Sequence, residues 1–413
     1  MRILKVSQAY HPFLDRGGPA IKVRSIARGL VDLGHKVTVL TADLGFGNRE
    51  VASAAATRDP QGWRSELDGV EALYLTTFCH YRNLTVNPMV LRFCRRRLQE
   101  FDVVHIYGLY DTLGPTVAWH CRRIGIPYLV EPLGMTRPID RGFALKKLWK
   151  RATGCYLRKA SAIVTTSHLE REELVAEGFP SEQVLLRYNG IDLEEFRQLP
   201  RAGTFRKSAG ISDNDRIILF MSRLIPRKGA DLLIEAMAQL KRSNVKLVIA
   251  GPEGEAGYLD FLHAKAKAAQ VEPHVIFVGP LYGEDKNAAL ADADIFALPS
   301  RYENFGNAAA EAIACGTPVI VSDQCGIAPL IDQRAGLVTA YDVEAVAATL
   351  QNLLADDALY QRLQSGCRQV ADEISWSKLV QVMERAYEQA RNCLQAAAPV
   401  HRQKAAAARA FHS

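Results

Sequence analysis

Short apolar runs alternate with amphipathic stretches along most of the 413-residue chain. In the first half the runs are Ile3–Val6, Val37–Thr41, Val103–Ile106, Tyr128–Val130 and Ala162–Thr165. Ile217–Met221, Lys246–Ala250, Val275–Val278, Ile295–Leu298 and Val319–Val321 repeat the character in the second. Runs this short, rich in β-branched residues and bounded by Gly, Pro and Asp, predict strands buried on both faces. Between them, Ala20–Leu33, Ala230–Lys241 and Glu344–Leu354 carry the apolar spacing of helices that bury one side. The alternation occurs twice over, which predicts an α/β chain of two doubly wound, Rossmann-like domains. The strand signal stops in the polar stretch Asn189–Ser208, placing one domain at 1–196 and the other at 197–374. A further amphipathic helix is predicted at 375–394, with Trp376, Leu379, Met383 and Tyr387 on one face. The alanine-rich, basic remainder, 395–413, is expected to be disordered. In such folds ligands sit beyond the carboxyl ends of the strands, so the cleft between the domains is the expected site.

Composition narrows the class. Hydrophobic residues make up 48% and charged residues 23%, which excludes a mainly disordered chain. No apolar run reaches the roughly 18 residues that a membrane-spanning helix needs, and MRILKVSQAY lacks the apolar stretch of a secretory signal. Eight cysteines without a C-x-x-C pair argue against a disulfide framework or a zinc site. A cytoplasmic location, or one at the inner face of the cytoplasmic membrane, is expected. The net charge of +6 falls entirely within 1–196. There, Arg141–Arg151 interleaves Phe143, Leu145, Leu148 and Trp149 with cations, and Arg92, Arg95, Arg96 and Arg97 form a second cluster. Two readings stand for these segments: peripheral contact with an anionic membrane, or solvated helices with an ordinary core face. Nucleic acid is not an expected partner, because no aromatic-basic RNA motif accompanies the modest excess.

Four segments can carry chemistry. Gly17-Gly18-Pro19 precedes a helix after the first strand, where backbone N–H groups and the helix dipole favour an anion; an ordinary strand-to-helix turn is the plain alternative. The loop does not fit G-x-G-x-x-G, and the chain has no P-loop motif. Arg223 and Lys228 flank a turn containing Pro226, at a strand's carboxyl end, where both cations can meet a diphosphate. Glu303 and Glu311 bracket the turn Asn304-Phe305-Gly306-Asn307, which opens a helix at 308–315. Carboxylates hold hydroxyls while amides hold phosphate, a pairing that suits a sugar nucleotide better than a plain phosphate ester. His105 and Tyr107 end a first-half strand, where a lone histidine is most often structural.

Taken in order, Gly17-Gly18-Pro19, Arg223…Lys228 and Glu303-x7-Glu311 resemble the retaining glycosyltransferases of family 4, which have the GT-B fold. Asn189-Gly190-Ile191-Asp192, Ala250-Gly251-Pro252 and Ala314-Cys315-Gly316-Thr317-Pro318 resemble further segments of that family, and the resemblance spans about 1–394. It implies transfer of a sugar from a nucleoside diphosphate donor to a glycan or glycolipid acceptor, without a metal or other cofactor. In that reading Arg223 and Lys228 contact the diphosphate, Glu303 the sugar hydroxyls and Glu311 the ribose. Phe305, Gly306 and Asn307 bring amides to phosphate and sugar, Gly17 and Gly18 close over the donor, and the helix at 375–394 returns to the first domain. The family often carries a Pro-His-Gly histidine that faces the sugar; here Leu133 occupies that place in Pro132-Leu133-Gly134, leaving His105 as the sugar-side candidate. Two other functions share these features: a GT-B-type sugar-nucleotide epimerase, and a catalytically inactive subunit that only binds partners.

Overall fold

The computed structural model describes residues 1–13, 18–44, 56–81, 84–136, 154–240 and 242–410. It divides into two compact units, Met1–Tyr188 together with Trp376–Ser413, and Asn189–Ser375. The first unit is built on a nine-stranded sheet, and its parallel strands are β1 (Arg2–Val6), β2 (Lys36–Ala42), β5 (Val70–Leu75), β8 (Val103–Tyr107), β9 (Tyr128–Glu131), β10 (Ala162–Thr165) and β11 (Val184–Leu186). β3 (Thr57–Asp59) and β4 (Gly62–Leu67) extend it as antiparallel edge strands, and β6 (Cys79–Tyr81) and β7 (Leu84–Val86) form a separate hairpin. The spatial order is β11-β10-β9-β8-β1-β2-β5-β4-β3, so it reverses direction between β1 and β8.

Alternation along each strand assigns side chains to the two faces. Leu4, Val6, Val104, Ile106 and Val130 join a core under α2 (Met89–Arg97) and α3 (Leu113–Ile124). Ile3, Val103, Tyr107 and Leu129 face the other way, under α1 (Gly18–Asp32). A helix α4 (His168–Ala176) joins β10 to β11, capped by the Ser167 hydroxyl accepting from the Glu170 N–H. The antiparallel edge departs from the all-parallel expectation. Burial of Val70–Leu75 on both faces hides the hairpin's alternation, while β3 and β4 are too polar to register as core strands.

The second unit has six parallel strands: β12 (Arg216–Met221), β13 (Val245–Ala250), β14 (Val275–Gly279), β15 (Ile295–Leu298), β16 (Val319–Ser322) and β17 (Gly336–Thr339). Their order β14-β13-β12-β15-β16-β17 is the doubly wound one, with its switch between β12 and β15. The helices are α5 (Thr204–Ser208), α6 (Ala230–Leu240), α7 (Tyr258–Ala268), α8 (Gly283–Asp292), α9 (Asn307–Ala314), α10 (Ala328–Ile331), α11 (Val343–Ala355) and α12 (Asp357–Glu373). Segment 189–196 belongs with this unit and not with the first: the Ile191 N–H donates to the Ile374 carbonyl at 3.0 Å, and Asn189 Nδ2 to Asn307 Oδ1 at 3.1 Å.

The chain then re-enters the first unit through α13 (Trp376–Ala410). Val380, Met383 and Tyr387 are buried in the core beneath α1. The helix continues to Ala410, past the bound at 394, where a disordered tail was expected; alanine has the highest helix propensity of all residues.

Candidate active site

Parallel strands end on a common edge, so the loops after β12 and β15 meet at the switch point of the second unit. Pro226–Lys228 forms a single 3₁₀ turn closed by Gly229 at φ 79°. A Cβ on Gly229 would lie 2.2 Å from the Pro299 carbonyl oxygen, so only glycine lets the two loops approach this closely. The Arg301 N–H then donates to the Arg227 carbonyl at 2.8 Å. This pinning brings the Lys228 ammonium against Oε2 of Glu303, with Lys228 only 8% exposed. Arg223, five residues earlier, lies exposed at the carboxyl end of β12.

The Glu303 loop is itself held. Its N–H donates to the Gln324 carbonyl at 3.0 Å, and its carbonyl accepts from Gly326 at 2.9 Å. Phe305 is buried, and its carbonyl accepts from the Ile327 N–H and the Cys325 thiol. Gly306, at φ 104°, caps α9, whose first helical bond is Ala310 N–H to the Gly306 carbonyl at 3.0 Å. The amides of Asn307, Ala308 and Ala309 therefore precede the helix's own bonding pattern and form its positive end. Glu311 sits in the second turn and pairs with Lys286 of α8 at 3.0 Å. The structure thus joins Lys228 to Glu303 directly and gives Glu311 a different cation, which the sequence had not singled out. Lys286 and Glu311 lie 25 residues apart on separate helices, so nothing in local spacing announces the pair.

The switch point of the first unit holds a pocket of about 140 Å³. It lies between Ser7–Ala9 after β1, Tyr107–Asp111 after β8, Leu133 and Met135 after β9, and Pro19 of α1. Gly17 falls outside the described residues; Gly18 is the first residue of α1. Leu133 adopts φ 61°, a left-handed conformation that costs a branched side chain energy, and Gly134 follows at φ 73°. The Gly134 N–H donates to Glu170 Oε1 at 2.6 Å, anchoring this turn. Asp111 was missed from the sequence. Its Oδ1 accepts from the Gly114 N–H at 2.7 Å as a helix cap does, and burial pushes its carboxyl up to about 6. A cap-like aspartate before a helix looks structural in one dimension; only the fold shows it lining a pocket.

His105, the sugar-side candidate, lies in the interior of the first unit. It is fully buried and absent from the pocket lining. Nδ1 lies 2.7 Å from the Tyr387 hydroxyl of α13, and the ring stacks 4.1 Å from Tyr107. Alternation turns His105 onto the face shared with Lys5, its partner in the β1–β8 register. The same interior holds Glu131, bonded by Lys22 at 2.7 Å and Arg187 at 2.5 Å, with His105 Nε2 at 3.7 Å.

Burial, reinforced by the positive charges of Lys5, Arg187 and Lys22, holds His105 well below the usual imidazole range. The ring is neutral when folded but regains a pKa of about 6.5 on unfolding. The unfolded chain therefore binds the extra proton below that pH, and this group's contribution to stability is lost as pH falls through 6.5. Asp111, raised from 3.8 to about 6, works in the opposite sense between those values. Replacing His105 with asparagine is expected to flatten the decline in melting temperature between neutral and mildly acidic pH. Identical slopes in variant and wild type would show that His105 is not the group responsible.

Two doubly wound units, each with loops gathered at its switch point, define the GT-B class of fold. The Anabaena HepE structure in complex with UDP shares it at a TM-score of 0.75 and 20% identity, covering 94% of this chain and 100% of that one. The family model for glycosyl transferases group 1 matches residues 202–370, and that for the glycosyl transferase 4-like domain matches 17–190. An uncharacterized glycosyltransferase of Methanocaldococcus jannaschii is 28% identical over 406 residues, spanning 94% of this chain and 98% of that protein. A GDP-mannose-dependent alpha-(1-6)-phosphatidylinositol monomannoside mannosyltransferase of Mycolicibacterium smegmatis is 32% identical over 288 residues, spanning 65% of this chain and 72% of that one. The chain belongs to the group 1 glycosyltransferases.

Proposed function

We propose that this chain is a retaining glycosyltransferase that moves a sugar from a nucleoside diphosphate to an acceptor hydroxyl, the acceptor being a lipid-linked glycan in cell-surface polysaccharide assembly. The observation that carries the reading is the Lys228–Glu303 pair at the switch point of the second unit, beside the positive end of α9. Glycosidic cleavage builds negative charge on the departing diphosphate and positive charge on the sugar ring. Arg223, Lys228 and the α9 amides supply fixed positive potential for the first. Glu303 holds sugar hydroxyls and faces the second; Glu311 holds the ribose, and Phe305, Gly306 and Asn307 shape the turn between them. Gly17 and Gly18 are assigned to donor binding by the resemblance alone. The sugar is taken on the face from which the diphosphate leaves, which accounts for retention without a carboxylate nucleophile.

The names of the relatives support a nucleotide donor: one is GDP-mannose-dependent and HepE is a UDP complex. The same mannosyltransferase acts on a phosphatidylinositol glycoside by its name, which supports a lipid acceptor here. Among the described residues no group of three or more His, Cys, Asp or Glu side chains is placed to hold a metal, and no helix is long and apolar enough to cross a membrane. The first domain is proposed as the acceptor side and the second as the donor side.

A thermal-shift panel of nucleoside diphosphates and their sugars tests the proposal. A donor at about 100 times its Kd is expected to stabilise the fold by roughly 2.7 kcal/mol, and the active pair should then transfer sugar with an unchanged anomeric configuration. No response to any nucleoside diphosphate, or an inverted product, would overturn it.

A further inference from the structure

The structure assigns the outer face of α2 and α3 as a docking surface for an anionic lipid membrane. This deepens the lipid-linked part of the reading above and is independent of the donor site. Both helices bury one side in the same core: Val90, Phe93, Cys94 and Leu98 from the α2 segment, and Leu113, Val117, Ala118 and Cys121 from α3. Their opposite sides therefore point outward from one sheet face. Arg92, Arg95 and Arg96 stand on α2 at i, i+3 and i+4, and Trp119, Arg122 and Arg123 repeat that spacing on α3, all exposed. Neither helix contains an acidic residue. Arg97 is turned aside to Glu71 at 3.1 Å, while Glu100, just beyond α2, is engaged by Arg2 and Arg97. Among the described residues no carboxylate lies within ion-pairing distance of the five outward arginines.

Apolar side chains lie between these cations. Leu91, Trp119 and Ile124 are each 45–50% exposed, and the Arg123 guanidinium sits 4.6 Å above the Trp119 ring. A nucleic acid backbone would use the arginines but has no place for leucine and isoleucine. A lipid surface uses both, with guanidiniums at the phosphates and Trp119, Leu91 and Ile124 at the headgroup–acyl boundary. The basic stretch Arg141–Arg151 noted in the sequence lies wholly outside the described residues.

Co-sedimentation of the full chain with phosphatidylcholine vesicles, with and without phosphatidylglycerol, tests this. Each cation near such a surface contributes roughly fivefold to partitioning. The triple variant Arg92→Gln, Arg95→Gln, Arg96→Gln is therefore expected to weaken binding to the anionic vesicles about a hundredfold. Trp119→Ser with Ile124→Ser should weaken it at least about tenfold, yet leave heparin binding unchanged. Both variants should keep the nucleotide-induced thermal shift, which verifies the fold and separates this inference from the donor reading. Wild-type chain that ignores anionic vesicles would overturn the proposal, as would binding untouched by the arginine changes. Loss of binding only on replacing Lys146, Lys147 and Lys150 would assign the contact to that segment instead. Heparin binding that equals vesicle binding, with both indifferent to the serine changes, would identify a polyanion site and not a membrane one.

Discussion

Replacing Glu131 with glutamine is expected to destabilise the first unit by about 3–5 kcal/mol, the range for removing one partner from a buried ion pair. The carboxylate is fully buried and bonded to Lys22 of α1 and to Arg187 just after β11, while Lys5 of β1 lies close enough to feel its charge. Glu131 thus offsets part of the positive charge of three buried basic side chains drawn from separate elements. Glu170, the other acid of this interior, is committed to the Gly134 and Thr166 amides. Lys5, already held well below the usual amine range by burial, can shed its proton when Glu131 is lost; the Arg187 guanidinium cannot. The cost is a large fraction of the roughly 5–15 kcal/mol that keeps a typical domain folded. Urea unfolding followed through the first unit's transition gives the number. A loss below about 1 kcal/mol would mean that the cations are already discharged or hydrated, and the buried pair would not be what organises this interior. Replacing Arg187 by methionine in the same chain should recover part of the loss, because the two residues share one interaction.

Truncating Lys228 to alanine is expected to reduce kcat/KM about 10²–10³-fold, the scale found when a fixed donor facing transition-state charge is removed. The residue is nearly buried, its turn is held against Pro299, and its ammonium lies on Glu303. The variant should also lose most of the nucleoside diphosphate-induced thermal shift. Glu303→Gln should behave differently: transfer falls sharply while diphosphate affinity stays nearly unchanged, since its carboxyl is assigned to the sugar. Full diphosphate affinity in Lys228→Ala would place the leaving group elsewhere. Because the two side chains touch, the double variant should cost less than the sum of the singles.

The conformation at Leu133 sets what the first unit's pocket presents. A left-handed leucine is tolerated where neighbouring structure over-determines it, here by Gly134 bonding Glu170 and by the packed face of β9. Leu133 thus offers an apolar side chain to the pocket, and Asp111 is the acidic residue lining it.

Periodicity alone predicted ten of the thirteen described parallel strands, the alternation into two doubly wound halves and the helix that closes the chain, because burial on both faces imposes a continuous apolar run; β5, β11 and β17 were not read from the sequence. The basic loop and the two glutamates were likewise legible, since a strand's carboxyl end followed by a turn is written locally. What one dimension could not carry is partnership. That Lys228 meets Glu303 while Glu311 meets Lys286, or that Asp111 lines a pocket, depends on strand order, which no local spacing encodes. His105 shows the same limit from the other side: its place at a strand end was readable, but the face it takes follows from register with Lys5 and from α13 folding back to cover it. Side-chain chemistry and local period are properties of the chain. The electrostatic surroundings that give them a role exist only once distant segments have been packed together and water has been excluded.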